Sequence, residues 1–258
     1  MSMSFANLNE LLKVAIQASE LASREILSVY NSADFGIEVK ADHSPLTIAD
    51  KRSHEAIERI LKETNLPILS EEGKSTPYEV RKSWKRFWMI DPLDGTKEFI
   101  KRNGEFTINI ALIQDQQPIL GVVAIPVTGE VYYASANQGA YLKKNKTEIL
   151  LSKRKPVTLL ANGLRVVASR SHMDDETRNF VSKLSSPELI SAGSSLKFIL
   201  LASDKADVYP RFAPTMEWDT AAAHAVVNEV GLSVIRTDNN QPLSYNKENL
   251  LNPYFICR

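Results

Sequence analysis

The chain has 258 residues, 43% hydrophobic and 24% charged, the composition of an ordinary globular protein with ample core for one large domain or two packed halves. Lys plus Arg and Asp plus Glu both number 31, so the formal net charge is zero; a nucleic-acid footprint is not expected, and any polyanion must be met by local cations. The single cysteine, Cys257, excludes an intrachain disulfide and suits a reducing, cytoplasmic setting.

In chain order, Leu8, Leu11, Leu12, Ala15, Ala18, Ala22, Ile26 and Val29 recur at helical spacing and predict an amphipathic helix over 8–30, with Asn7 and Glu10 as its capping pair. The same stretch carries Glu10, Glu20 and Glu25 and no basic leader, so it does not read as a signal peptide. No apolar run reaches the roughly 18 residues of a membrane span; peripheral association with the cytoplasmic face of an inner membrane stays open. A second helix fits 48–63, with Ile57, Ile60 and Leu61 on one face. "LPILS" (66–70) and "RFWMI" (86–90) read as buried strands, and residues 105–151 as an antiparallel meander broken by "QDQQ", "TGE", "NQG" and "KKNK". After "KRKP" (153–156), strand-like and helix-like runs alternate from "LRVVAS" to "LSVI". The predicted organisation is an α+β half, residues 1–152, and an α/β half, residues 153–258; with no Gly/Ser linker between them, the halves pack together.

Four acidic positions lie where an apolar element ends or a helix begins. Glu71 follows "PILS", Asp91 and Asp94 follow "FWMI", and Asp219 opens "WDTAAAHAVV". Strand ends and helix starts are where α/β folds collect their sites, and hard oxygen donors of this kind suit Mg²⁺. Each has an ordinary reading alone: Asp219 as a helix cap, Glu71 with Glu72 as a solvated pair, Asp94-Gly95 as a turn. The spacing in "DPLDGT" differs from the D-x-D-G-T of haloacid-dehalogenase-like phosphatases, because Asp91 and Asp94 are three residues apart. It suits two ligands with a backbone carbonyl between them.

Taken together, "SEE" (70–72), "DPLDGTKEF" (91–99), "NGEFTINIAL" (103–112), "SRSH" (169–172), "GSSLKF" (193–198) and "EWDTAA" (217–222) resemble the motif set of the inositol monophosphatase superfamily of Mg²⁺-dependent, Li⁺-sensitive phosphatases. Within it, "DGTKEFIKRNGEFT", "GSSLK" and "YPRF" look most like the bacterial 3'(2'),5'-bisphosphate nucleotidase branch. The resemblance implies a layered sugar-phosphatase fold and two or three Mg²⁺ ions, with Mn²⁺ as a substitute. It makes Glu71, Asp91, Asp94 and Asp219 side-chain metal ligands and Leu93 a ligand through its carbonyl oxygen. It also implies a water nucleophile, held by Thr96 and deprotonated with the help of Asp50. Thr47-x-x-Asp50 is equally a capping box opening the second helix, and the two roles are compatible.

Gly95 and Thr96 offer backbone N–H groups to a phosphate. Gly193, Ser194, Ser195 and Lys197 form a second candidate anion site at a glycine turn into a helix. The resemblance adds Ser169 and His172 near an adenosine, and Tyr209 and Arg211 as candidates for base stacking and phosphate pairing. Glu71, Leu93, Asp94 and Asp219 would touch substrate as well as metal. Two anion sites favour adenosine 3',5'-bisphosphate as substrate, cleaved to AMP and phosphate in a sulfur-assimilation setting, with 3'-phosphoadenosine 5'-phosphosulfate as a related substrate. The alternatives are an inositol or sugar monophosphatase and a catalytically silent nucleotide-binding protein. The resemblance leaves monomer and homodimer both open.

Overall fold

In the computed structural model, which describes residues 7–32, 35–39, 45–168 and 173–258, the chain opens with helix α1 (Leu8–Tyr30). Its buried residues Leu11, Ala15, Ala18, Ala22, Ile26 and Val29 follow the helical repeat, and small alanines let it lie close to its neighbours. The Asn7 side chain accepts from the Asn9 amide, so the cap is a local Asx-type bond rather than a reciprocal pair with Glu10. A short antiparallel pair, β1 (Glu38–Val39) and β2 (Pro45–Leu46), leads into helix α2 (Ile48–Leu61), which ends in a 3₁₀ turn, Lys62–Thr64.

The centre is a seven-stranded sheet in sequence order: β3 (Ile68–Ser70), β4 (Arg86–Asp94), β5 (Thr107–Gln114), β6 (Gln117–Ile125), β7 (Glu130–Ser135), β8 (Ala140–Lys144) and β9 (Thr147–Leu150). The β3–β4 pair is parallel and every later pair antiparallel, so the expected meander forms. The connection between β3 and β4 holds the short helix α3 (Tyr78–Arg81), and that between β4 and β5 the short helix α4 (Thr96–Ile100). The strand alternation sorts β4 cleanly. Trp88 and Ile90 join the core under α1 and α2, whereas Phe87 and Met89 join the core on the opposite face. A strand buried on both sides has no polar face, which is why "RFWMI" reads as an unbroken apolar run.

The second half supplies the layer on that opposite face. Its elements are β10 (Arg165–Val167), α5 (Asp175–Ser182), β11 (Glu188–Ile190), α6 (Leu196–Ala202), β12 (Tyr209–Arg211), a 3₁₀ turn (Glu217–Asp219), α7 (Ala221–Glu229), β13 (Val234–Arg236) and β14 (Phe255–Cys257). Residues of α6 and α7 share one hydrophobic cluster with β4–β7, so the core runs through the point where the rhythm of the sequence changes. Helix α7 touches the sheet with its backbone: a Cβ on Gly121 would lie 2.0 Å from the Ala222 carbonyl oxygen, so only glycine fits there. The α/β alternation does not build one parallel sheet. β10 and β11 pair in parallel, while β12, β14 and β13 form a separate antiparallel sheet with the unforeseen C-terminal strand at its centre. No helix among the described residues is long and apolar enough to cross a membrane.

Candidate active site

The parallel pairing of β3 with β4 sets Ser70 opposite Ile90, so the residues that follow, Glu71 and Asp91, lie at the same level. The Glu71 amide donates to the Ile90 carbonyl, 3.2 Å. Past this point β4 bulges. Asp91 pairs with Asn109 and Asp94 with Thr107, so Pro92 and Leu93 together oppose one residue of β5. In a regular strand, residues three apart point to opposite faces; the extra residue restores Asp94 to the side of Asp91. The bulge is pinned by the Ser53 hydroxyl donating to the Pro92 carbonyl, 2.7 Å, and by the Leu93 amide donating to Asp91 Oδ1, 3.1 Å.

Asp219 arrives from the other half, at the end of the 3₁₀ turn before α7, with its Oδ2 accepting from the Met216 amide, 2.8 Å. Carboxylate oxygens of Glu71, Asp91 and Asp219 all lie within 4.8 Å of one another. Burial pushes the carboxyls of Asp91 and Asp219 well above the usual range. The charge of Glu71 adds most to the rise at Asp91, and that of Asp94 adds most at Asp219. Asp94 is raised by burial too, against the Ser194 hydroxyl and the Lys197 ammonium, which hold it down. Converging oxygen donors, Asp91 buried and the others partly so, whose charges oppose one another fit a hard divalent cation such as Mg²⁺.

Next to this cluster, Gly95 adopts φ 95°, a left-handed conformation, and a Cβ there would sit 3.2 Å from the Glu105 carbonyl oxygen. The turn delivers Thr96 to the start of α4, which is anchored by Phe99 packed among Tyr30, Phe35 and Phe106 at centroid distances of 5.2, 4.9 and 5.2 Å. The Thr96 hydroxyl donates to Asp50 Oδ1, 3.1 Å, and lies 3.5 Å from the Leu93 carbonyl oxygen. The other Asp50 oxygen accepts from the Thr47 amide at 2.7 Å and the Thr47 hydroxyl at 2.6 Å, while the Thr47 hydroxyl in turn accepts from the Ala49 amide. One carboxylate therefore closes the capping box of α2 and holds Thr96.

A cavity of about 470 Å³ opens beside the cluster, lined by Asp94, Gly193, Lys197, Tyr209, Arg211 and Asp219 among others. Lys197 is 8% exposed; burial lowers its pKa, opposed chiefly by Asp94. Its Nζ donates to the Ser194 carbonyl, 3.0 Å, and lies 5.8 Å from the Tyr209 ring centroid. Tyr209 is packed edge-on against Phe198 and Phe255, and burial lifts its hydroxyl to about 12. The Arg211 guanidinium donates to the Pro214 carbonyl, 2.8 Å, and its buried Nε has no hydrogen-bond partner among the described residues. The lysine charge thus faces the acidic cluster across one shared cavity. Ser169 and His172 lie outside the described residues.

Sequence reasoning passed over the residues that hold this cavity together. Glu105 Oε2 accepts from the Gly193 amide, 2.9 Å, and the Thr107 hydroxyl contacts those of Ser194 and Ser195. The Ser195 hydroxyl is 2% exposed and lies within hydrogen-bond distance of Thr107 and Asn109. "NGEFTINIAL" carries these groups at every second position, a strand signal in which the polar members were visible but their partners were not.

Comparison with known proteins finds one family along almost the whole chain. The Inositol monophosphatase family model matches residues 7–254. The 3'(2'),5'-bisphosphate nucleotidase CysQ of Escherichia coli strain K12 is 43% identical over 252 residues, covering 95% of this chain and 98% of the relative. The crystal structure of CysQ from Bacteroides thetaiotaomicron, a bacterial member of the inositol monophosphatase family, superposes with a TM-score of 0.85 at 48% identity and 98% coverage of both chains. A more distant structure, an IMPase/NADP phosphatase complexed with Mg²⁺ and phosphate, shares the fold at 18% identity and a TM-score of 0.79, covering 97% of this chain and 90% of its own.

Proposed function

The chain belongs to the inositol monophosphatase family, and we propose that within it the protein is a metal-dependent 3'(2'),5'-bisphosphate nucleotidase that converts adenosine 3',5'-bisphosphate to AMP and phosphate. The observation that carries this reading is the joining of two unlike sites in one cavity: the carboxylate cluster around Asp91, and the buried cation Lys197 beside Gly193. The cluster suits the reacting phosphate, and the ammonium suits a second anionic group on the same molecule. The same cavity would admit 3'-phosphoadenosine 5'-phosphosulfate, whose 5' end is also anionic.

In this reading Glu71, Asp91, Asp94 and Asp219, with the Leu93 carbonyl, hold Mg²⁺, two or three ions in the working complex; Mn²⁺ can stand in. What the bound cations supply is positive charge against the phosphate oxygens and the attacking and leaving oxygens of an in-line displacement. The chain's own groups do the rest. Thr96 Oγ1 donates to Asp50, so its lone pairs face outward and accept from a water; the proton of that water has a path through the hydroxyl to Asp50 Oδ1. The water oxygen bonds to phosphorus as the bond to the ribose 3'-oxygen breaks, and that oxygen leaves with a proton. Gly95 and Thr96 amides cradle the phosphate, and Lys197, Arg211 and Tyr209 bind the nucleotide. Residues 1–152 supply most metal ligands and the water site, and residues 153–258 supply the nucleotide contacts and Asp219. Phosphate release from adenosine 3',5'-bisphosphate and from inositol 1-phosphate, each with Mg²⁺ and with EDTA, tests the proposal. We expect Mg²⁺-dependent release with strong preference for the bisphosphate; an equal rate on inositol 1-phosphate would favour a general monophosphatase.

A further inference from the structure

The segment that leads into β5 and the strand's first residues form a comb whose teeth grip the turn before α6. Glu105, Thr107 and Asn109 alternate along the chain and meet Gly193, Ser194 and Ser195 in order. The contact continues from Ser194 Oγ to Asp94 Oδ2, 2.7 Å. Three hydroxyls therefore link a buried amide to a cluster carboxylate: Asn109 to Ser195 at 2.8 Å, Ser195 to Thr107 at 2.8 Å, Thr107 to Ser194 at 2.5 Å, and Ser194 to Asp94.

Counting protons gives this chain a direction. A carboxylate only accepts, so Ser194 spends its proton on Asp94. Ser194 then accepts from Thr107, which has one proton, so Thr107 must accept from Ser195. Ser195 has now donated, and its contact with Asn109 needs a proton from the amide. With the amide oxygen toward Ser195, that proton is missing, and the Asn109 Nδ2 group is buried without a partner among the described residues. Turning the amide by 180°, an orientation indistinguishable in shape, supplies that proton from Nδ2 and leaves the amide oxygen, the more tolerated orphan, as the group without a partner among the described residues. Every link then has one donor and one acceptor, running from Asn109 to Asp94.

We propose that Thr107, Ser194 and Ser195, fed by the Asn109 amide, form a directed hydrogen-bond relay that fixes the Asp94 carboxylate for metal binding, so that Ser194 and Thr107 are positioning residues rather than substrate contacts. The inference rests on the metal role proposed for Asp94. The relay ends on Oδ2, the Ser195 amide also donates to this carboxylate, and the Asp94 charge acts on both Asp91 and Asp219. Ser194 occupies the left-handed region, φ 53°, a conformation uncommon for a side chain other than glycine, asparagine or aspartate. This twist is where the hydroxyl meets Asp94 and Thr107 together. Because the same turn lines the nucleotide cavity, the relay also ties that wall to the metal cluster across the two halves.

The experiment is Mn²⁺ binding without substrate, followed by electron paramagnetic resonance, on wild type, Ser194→Ala, Thr107→Val, Thr107→Ser and Asp94→Asn. Ser194→Ala and Thr107→Val should weaken Mn²⁺ by about tenfold to a hundredfold, the usual loss when a partner of a metal ligand is removed. Thr107→Ser keeps the hydroxyl and should bind within about threefold of wild type. If Thr107→Val fails to fold, Ser194→Ala, whose side chain borders the cavity, carries the test alone. Wild-type Mn²⁺ affinity in Ser194→Ala, with a raised KM for the bisphosphate, would overturn the relay and return Ser194 to the substrate. Wild-type affinity in Asp94→Asn would instead overturn the metal role of Asp94, and the relay with it.

Discussion

Asp91→Asn isolates the charge of the acidic cluster from its shape. Asp91 is 1% exposed, and its carboxyl is pushed up by burial first and then by Glu71, Asp94 and Asp219. Asparagine keeps an oxygen for the Leu93 amide, which donates to Asp91 Oδ1 at 3.1 Å, so the bulge keeps its hydrogen bond. Glu71, Asp91 and Asp219 offer oxygens within 4.8 Å of one another. Two unit charges at that separation repel by roughly 3.5 kcal/mol at an effective dielectric constant near 20. Proton uptake by the raised carboxyls relieves part of this, leaving about 1–2 kcal/mol for the substitution to recover. At roughly 2–4 °C per kcal/mol for a chain of this size, the metal-free variant should melt about 2–8 °C above wild type. Wild type should gain about 2.7 kcal/mol from Mg²⁺ at a hundred times its dissociation constant, a rise of about 5–10 °C. The variant should show under about 2 °C. Thermal melts in EDTA and in MgCl₂ at matched ionic strength read both numbers. A variant that melts below wild type in EDTA and keeps the wild-type Mg²⁺ shift would show that these carboxylates neither repel one another nor share a cation.

Thr96→Ala leaves the capping box of α2 intact and removes only the hydroxyl that Asp50 orients, so kcat should fall by about a hundredfold or more with KM within about threefold in steady-state assays. Lys197→Ala should raise KM for adenosine 3',5'-bisphosphate by the roughly 1.5–3 kcal/mol of a lost charge-assisted bond, and should affect inositol 1-phosphate at least tenfold less. Equal losses would place Lys197 wholly with Asp94, the carboxylate its charge opposes most directly. His224 is buried beside the Tyr245 hydroxyl, and burial lowers its pKa from 6.5 to about 4. As pH falls from 6.5 toward 4, the unfolded chain takes up a proton that the folded chain refuses, so this contribution to stability is complete above 6.5 and is lost on acidification. Urea midpoints at pH 7.5 and 5.0 should show wild type losing about 2 kcal/mol more than His224→Gln; equal losses would mean His224 is free to protonate in the fold.

The acidic cluster was legible because its signals are local. Asp91 and Asp94 sit in one nine-residue strand, Glu71 follows the strand that pairs with it, and Asp219, expected to open a helix, ends the 3₁₀ turn just before one whose alanines announce a close packing contact. The double role of Asp50 was legible too, since a capping box and a Thr96 partner use different oxygens of one carboxylate. The relay was hidden for the opposite reason. Thr107 and Asn109 are polar residues inside an apolar strand, and nothing in their spacing says that Ser194 and Ser195, in the other half, will meet them. Likewise "FIC" near the C-terminus is three residues long, too short for any periodicity, yet as β14 it joins β12 to β13.

The same limit explains what holds Asp219 in place. Its neighbour Glu217 is fully buried and accepts from the amides of Asn246, 2.5 Å, and Lys247, 3.0 Å, while the Lys247 ammonium pairs with it. Arg81, from the helix that follows the Glu71 loop, donates to Asn246 Oδ1 and to the Lys247 and Glu248 carbonyls, at 2.9, 2.6 and 2.7 Å. Four contacts between segments some 165 residues apart in sequence thus tie the Glu71 side of the cluster to the Asp219 side. A buried charge held this way is costly to break and adds little net stability when intact, so its worth lies in geometry. Mutually repelling carboxylates would otherwise drift apart wherever the backbone could yield. The clamp on one side and the Ser194 contact with Asp94 on the other make the acidic cluster a property of the assembled fold, even though each of its residues can be read from a short stretch of sequence.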